Sequence, residues 1–159
     1  MSQLLAYLEK LGPPLKKFDG NKPEVVIQTA DGHVELSATN CRIYGPSVVF
    51  DSRYNNLGNW TSPRDRAEWT MEITRPDEYE VWLDYACENQ SAGNVFALMI
   101  GDQTITEKVD GTGTWGNYQR KKIGVVRLQG ATTKISFTAL GELTSFLIEL
   151  RSIRLEPTK

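Results

Sequence analysis

The sequence predicts an all-β domain, a two-sheet antiparallel β-sandwich behind one short N-terminal helix. Three observations lead there. From Val25 onward, short β-favouring runs alternate with turn-forming residues at the spacing of a sandwich or barrel. Two of the runs alternate strictly: "AEWTMEI" sets Ala67, Trp69, Met71 and Ile73 on one face, and "YEVWLDYAC" sets Tyr79, Val81, Leu83, Tyr85 and Cys87 on one face. The chain has 159 residues, 40% hydrophobic and 24% charged, which suits one globular domain with a single core.

The elements follow in chain order. Leu4, Leu5, Leu8 and Leu11 form one stripe of a helix, with Ser2 as N-cap and Gly12-Pro13-Pro14 as its end. A helix of barely three turns is marginal alone and must pack on something. "PPLKKFDGNKPE" reads as a linker, so the chain divides into a helix and linker over residues 1–24 and a sandwich over 25–159. After the two alternating runs, which leave Trp82 and Asp84 facing outward, come "VFALMIG", "IGVVRL" and "KISFTAL". "SFLIELRSIRL" closes the chain as a last strand. "DSRYNNLGNW", "ENQSAGN" and "DGTGTWGNY" are the loops between them.

Composition excludes several function classes. Eighteen basic and 20 acidic residues give a formal charge of -2, without the basic footprint of a nucleic-acid or anionic-membrane binder. No apolar run approaches the roughly 20 residues that span a bilayer. The first residues lack the basic and apolar regions of a signal peptide, and the chain reads as a piece of a longer protein.

Catalytic chemistry finds little support. His33 is the one histidine and sits in a turn before a strand, which rules out a His-rich metal site; a triad would have to use this residue, and it reads as an exposed loop histidine. "GTGTWG" is not followed by a helix that could cradle phosphate. A glycosidase needs two carboxylates at a set separation, a criterion any chain with 20 acidic residues meets; Asp84 and Glu149 read as solvated outward positions. No enzyme is expected. Cys41 and Cys87 have no metal spacing, and a disulfide and two free core thiols both remain open. The sequons at Asn59 and Asn89 place their stretches in exposed loops.

The aromatic residues divide in two. Trp69, Tyr79, Tyr85, Phe96, Phe137 and Phe146 fall in strand patterns and suit a core. Tyr54, Trp60, Trp115 and Tyr118 fall in loops rich in Gly and Asn, where apolar exposure is costly unless the ring caps the sandwich or meets a ligand. The C–H face of a sugar stacks on such rings, and its hydroxyls need partners of the kind Asn55, Asn56, Asn59, Asn117, Gln119 and Arg120 offer.

Four stretches carry a family resemblance: "VELSATNCRIYG", "NLGNWTSPRDRAEWTMEITRPDEYEVWLDYAC", "VDGTGTWGNYQRKKIGVVRLQG" and "LRSIRLEP". Together, from about Val34 to Pro157, they resemble galactose-binding-like jelly-roll sandwiches: carbohydrate-binding modules of families 6 and 35, and the C-terminal domains of bacterial α-L-fucosidases. The N-terminal "LLAYLEKLGPPLKKFDGNKPE" resembles the last helix of a c-type cytochrome domain, as in large haem-binding proteins of planctomycete-like bacteria, though no CxxCH is present.

The resemblance implies a sugar-stacking role for Trp115 in "TGTW", with Tyr54 or Trp60 as an opposite wall and Asn117, Tyr118 and Glu149 nearby. Trp60 equally suits a structural plug, because the fucosidase-type domains carry a similar tryptophan motif. It also implies a structural calcium, but the motif is degenerate here: "SATN" sets Thr39 where an acidic residue is usual. The late strand carries Glu149 and Arg151 where asparagine and aspartate are usual; Arg151 could pair with a carboxylate or meet an acidic sugar.

The leading expectation is a non-catalytic carbohydrate-binding module that tethers a larger exported, extracytoplasmic protein to a polysaccharide or oligosaccharide. The alternative is a structural or protein-interaction sandwich in a multidomain cytochrome-type protein. Trp115 separates them: a platform exposes an indole face, and a plug hides both.

Overall fold

A computed structural model describes residues 15–158. The expected N-terminal helix, and with it most of the cytochrome-like stretch, lies outside the described residues. Twelve strands occur among them: β1 (Val26–Ile27), β2 (Val34–Ser37), β3 (Arg42–Tyr44), β4 (Val49–Asp51), β5 (Asn56–Gly58) and β6 (Arg66–Ile73) come first. They are followed by β7 (Asp77–Ala86), β8 (Val95–Ile100), β9 (Gln103–Lys108), β10 (Gln119–Leu128), β11 (Ala131–Ala139) and β12 (Glu149–Pro157). One sheet runs β1-β6-β11-β8-β9, with β3 beside β1 on the same edge of β6. The other runs β10-β7-β12-β5-β4, with β2 also on β12. Every pairing is antiparallel except β1 with β6, which is parallel.

The period-two pattern sets the core. Ala67, Trp69, Met71 and Ile73 on β6 and Tyr79, Val81, Leu83 and Tyr85 on β7 are all buried, with Cys87 just beyond, and they face each other between the sheets. Phe96 and Phe137 stack at 4.9 Å, and Trp60 meets Phe137 edge-on at 5.5 Å. Trp60 is fully buried. Of its two sequence readings the plug is the correct one, because an indole with no exposed face cannot stack on a sugar.

Four departures from the sequence reading have local causes. Residues 15–24 are not a free linker. Lys16 bridges Ile43, the Asn21 amide donates to the carbonyls of Ala38 and Cys41, and Phe18 packs on the core. The loop read from "DSRYNNLGNW" contains β5, whose Asn56, Leu57 and Gly58 are all buried. β9 is a strand that the sequence does not mark: as a sheet edge with little apolar burial it carries no clean alternation. "SFLIELRSIRL" is strand only from Glu149; Ser145 has φ of 65°, and residues before Glu149 form a loop.

Cys41 and Cys87 are free, buried thiols, pushed up to about 12 and about 11 respectively by burial first of all. Neither is poised as a thiolate nucleophile near neutral pH. His33 lies in its expected turn, and its Nδ1 sits 3.4 Å from Asp31.

Candidate functional site

The Trp115 loop is built on the segment that follows β7. Thr112 is buried there: its amide donates to the Cys87 carbonyl at 2.8 Å, and its hydroxyl accepts the Cys87 amide at 3.0 Å. Gly111 passes so close to Asn89 that a Cβ would lie 2.2 Å from Asn89 Oδ1. Gly113, with φ of 107°, turns the chain back and donates to the same oxygen at 3.1 Å. The Asn117 side-chain amide donates to the Thr112 carbonyl and closes the loop. Asn117 therefore spends a donor on loop shape rather than offering it to a ligand. Together these bonds hold Trp115 half-buried at the loop tip, edge-on to Phe146 with ring centroids 6.0 Å apart.

Phe146 is the site residue that sequence reasoning assigned elsewhere. It is 38% exposed rather than in the core. Asn94 donates to the carbonyls of Thr144 and Phe146, and the Leu147 amide donates to the Trp60 carbonyl, so the loop that carries Phe146 is fastened to the buried plug.

Trp115 and Phe146 wall an open cleft of about 320 Å³ whose remaining lining is Val49, Asp51, Asn56, Gly58, Asn59 and Glu149. The floor is the outer face of β4, β5 and the start of β12. Asn56 is 4% exposed. Its Nδ2 donates to Tyr118 Oη, while its Oδ1 is buried with no partner among the described residues. A buried, unpaired amide oxygen costs about 1–3 kcal/mol unless something satisfies it. Gly58 is required beside it: a Cβ there would meet Glu149 Oε2 at 2.2 Å.

Glu149 lies in the cleft rather than on a solvated face. It makes no hydrogen bond or ion pair among the described residues, whereas Asp51 is held by Arg53 at 3.0 Å. Burial pushes the Glu149 carboxyl up to about 7, and the negative charge of Asp51 adds to the shift. Between about 4.5, its ordinary value, and about 7 the folded chain holds a proton that the unfolded chain has released. Stability from this group is therefore lost as pH rises through that window.

Glu149→Gln should remove this slope. Discounted for partial exposure, the effect is on the order of 1–2 kcal/mol, or roughly 2–8 °C in Tm above pH ~7 and almost nothing below pH ~4.5. Thermal melts across pH check it; an equal effect at both ends would contradict this account of Glu149.

The other expected site residues are placed as follows. Tyr118 is half-buried behind Asn56 and positions it, and the Arg151 guanidinium lies 3.6 Å from the centroid of the Tyr118 ring. Arg151 thus covers tyrosine and forms no ion pair among the described residues. Tyr54 is 55% exposed under the Arg53 guanidinium and is not part of the cleft wall.

The calcium implied by the resemblance does not fit the "SATN" turn. The turn has no carboxylate, Ser37 and Thr39 hydroxyls bond each other at 2.6 Å, and the Ala38, Thr39 and Cys41 carbonyls already accept hydrogen bonds from Asn21 and Lys22. No group of three or more His, Cys, Asp or Glu side chains placed to hold a metal occurs among the described residues. No helix among them is long and apolar enough to cross a membrane.

A second cavity, of about 350 Å³, opens on the outer face of the β1/β6/β11 sheet between Arg42, Glu68, Met99 and Lys134. Its one aromatic, Trp69, is 2% exposed, so it offers no ring to stack on.

No protein-family model matches the chain, and no curated protein matches it in sequence. Solved structures do match in fold. A native family 35 carbohydrate-binding module from Clostridium thermocellum superposes with a TM-score of 0.66 at 14% identity, over 79% of this chain and 98% of that one. The GH26-CBM35 β-(1,4)-mannanase of Podospora anserina gives 0.65 at 13% identity, over 81% of this chain and 28% of that one, so this chain spans under a third of the mannanase. The mosquito-larvicidal Cry4Aa toxin of Bacillus thuringiensis gives 0.66 at 12% identity, over 86% and 25%. What the chain shares with all three is its architecture, the galactose-binding-like β-sandwich found in family 35 carbohydrate-binding modules.

Proposed function

We propose that this domain is a non-catalytic carbohydrate-binding module whose site is the Trp115/Phe146 cleft. The observation that carries the reading is the pairing of an aromatic wall with a polar floor. Trp115 and Phe146 offer apolar ring surface, while Asn56 presents an unsatisfied buried oxygen and Glu149 an uncommitted carboxyl. A pyranose has the matching two faces, C–H bonds that pack on rings and hydroxyls that donate to oxygens. The family 35 modules among its structural neighbours support this reading.

One or two aromatic contacts and a few hydrogen bonds at about 0.5–1.5 kcal/mol each suggest millimolar to micromolar affinity, on the order of -4 to -8 kcal/mol. Such binding becomes useful when it is linked to a second activity, because a tether raises effective concentration. The domain then serves as the anchoring part of a longer, extracytoplasmic protein, as the P. anserina enzyme's joined domains suggest by analogy.

Affinity electrophoresis through gels containing mannan, xylan, galactan or β-glucan tests the reading. At least one polysaccharide should retard the native protein, and Trp115→Ala should restore its mobility with the fold intact, a loss of at least about tenfold in affinity, or ~1.4 kcal/mol. Retardation unchanged in the variant would place the site elsewhere.

A further inference from the structure

We propose that the cleft selects an amino sugar, a pyranose whose ring amine is a protonated ammonium, over its neutral counterparts. This inference rests on the carbohydrate reading above and refines it. The argument is one of complementarity between donors and acceptors. The floor atoms that make no bond among the described residues are oxygens: Glu149 has no hydrogen-bond or ion-pair partner there, and Asn56 Oδ1 is buried without one. The amide nitrogens are already engaged: Asn56 Nδ2 gives one N–H to Tyr118 Oη, and the Asn59 amide gives one to the Ser47 carbonyl at 3.1 Å.

No cation among the described residues lines the cleft. Arg53 is taken by Asp51, and Arg151 is laid on the Tyr118 ring. A neutral sugar hydroxyl could serve one of these acceptors, but burial keeps the Glu149 carboxyl partly protonated near neutral pH, and a cation beside it would favour the ionised, acceptor-only form. An ammonium brings three donors and a positive charge to the same place.

The wall argues the same way. The faces of Trp115 and Phe146 carry negative quadrupole potential, which attracts a cation as well as packing a ring. A divalent metal suits the site less. Asp51 is already engaged, and one carboxyl with one amide oxygen falls well short of the six to eight ligands that a hard cation takes.

The test compares a fully deacetylated glucosamine oligomer with its N-acetylated counterpart of equal length, both titrated by calorimetry near neutral pH with chelator present. Native protein should bind the amine form at least about tenfold more tightly, with the preference weakening in high salt. Glu149→Gln, which keeps shape and removes charge, should bring the two affinities together, while an unchanged near-ultraviolet spectrum reports an intact cleft.

Equal or tighter binding of the N-acetylated form, or binding of neutral glycans alone, would overturn the amino-sugar inference and leave the carbohydrate reading standing. An amine preference that survives in Glu149→Gln would overturn it too, by placing the contact elsewhere on an acidic surface. Failure of every glycan, charged or neutral, would remove the carbohydrate reading and this inference with it.

Discussion

Asp65→Ala is expected to cost about 4 kcal/mol of stability, which for a domain of this size lowers Tm by roughly 8–16 °C. Asp65 is fully buried, and its carboxyl is a four-way clamp. Oδ1 accepts the amides of Ser47 at 2.7 Å and Val48 at 3.0 Å. Oδ2 accepts those of Thr61 at 3.2 Å and Ser62 at 3.0 Å. These are the chain segments entering β4 and leaving Trp60. Alanine would strand four backbone donors at once, and the cost of unmet donors exceeds the value of the bonds themselves. Asp65→Asn keeps one oxygen and should fall between. Gly45 has φ of 117° and leaves no room for a Cβ beside the Asp65 backbone, which fixes the approach of the two segments. Chemical denaturation measures the loss; an Asp65→Ala variant within about 1 kcal/mol of native would show that the clamp is not a stabilising element.

Trp60→Ala should be comparably severe, about 3–5 kcal/mol, as large-to-small substitutions in cores are. The indole fills the space beside Phe137, edge-on at 5.5 Å between ring centroids, and the main-chain carbonyl of Trp60 accepts the Leu147 amide, a bond that alanine would keep. Its Nε1 has no hydrogen-bond partner among the described residues, so Trp60→Phe forfeits no bond. That variant should lose only about 1–2 kcal/mol and keep whatever glycan affinity the native protein has. Affinity lost in Trp60→Phe with stability retained would contradict its role as a plug and return it to the binding wall.

How much of this was legible in sequence depends on the physical signal at each residue. The inward faces of β6 and β7 were read directly, because strict alternation across eight to ten residues leaves one assignment. Trp115 was legible as a loop aromatic, since its flanking glycines and threonines suit neither helix nor strand. Phe146 was hidden for the opposite reason. "SFLIEL" reads as continuous strand, and only the positive φ at Ser145 and the Asn94 hydrogen bonds, both tertiary facts, lift it into the loop.

Asn56 was visible only as one polar residue among several. Its burial follows from β5 lying beneath Glu149, a pairing some 90 positions away in sequence that no local pattern announces. For Arg151 the sequence leaves open a carboxylate partner or an acidic sugar. The β12 bulge between Leu150 and Ser152 places it over Tyr118 instead, and bulges of this kind leave no mark in an otherwise alternating run.

The central claim is that a sugar is held between the Trp115/Phe146 wall and the Asn56/Glu149 floor. Nitrogen–proton correlation spectra recorded during titration with oligosaccharides of the panel's polysaccharides and with the glucosamine oligomer test it most directly. The account predicts saturable shifts of the Trp115 indole and Asn56 side-chain amide signals, with the indole of buried Trp60 nearly still. Shifts confined to the opposite sheet, around Arg42, Met99 and Lys134, or no shift with any sugar, would contradict it.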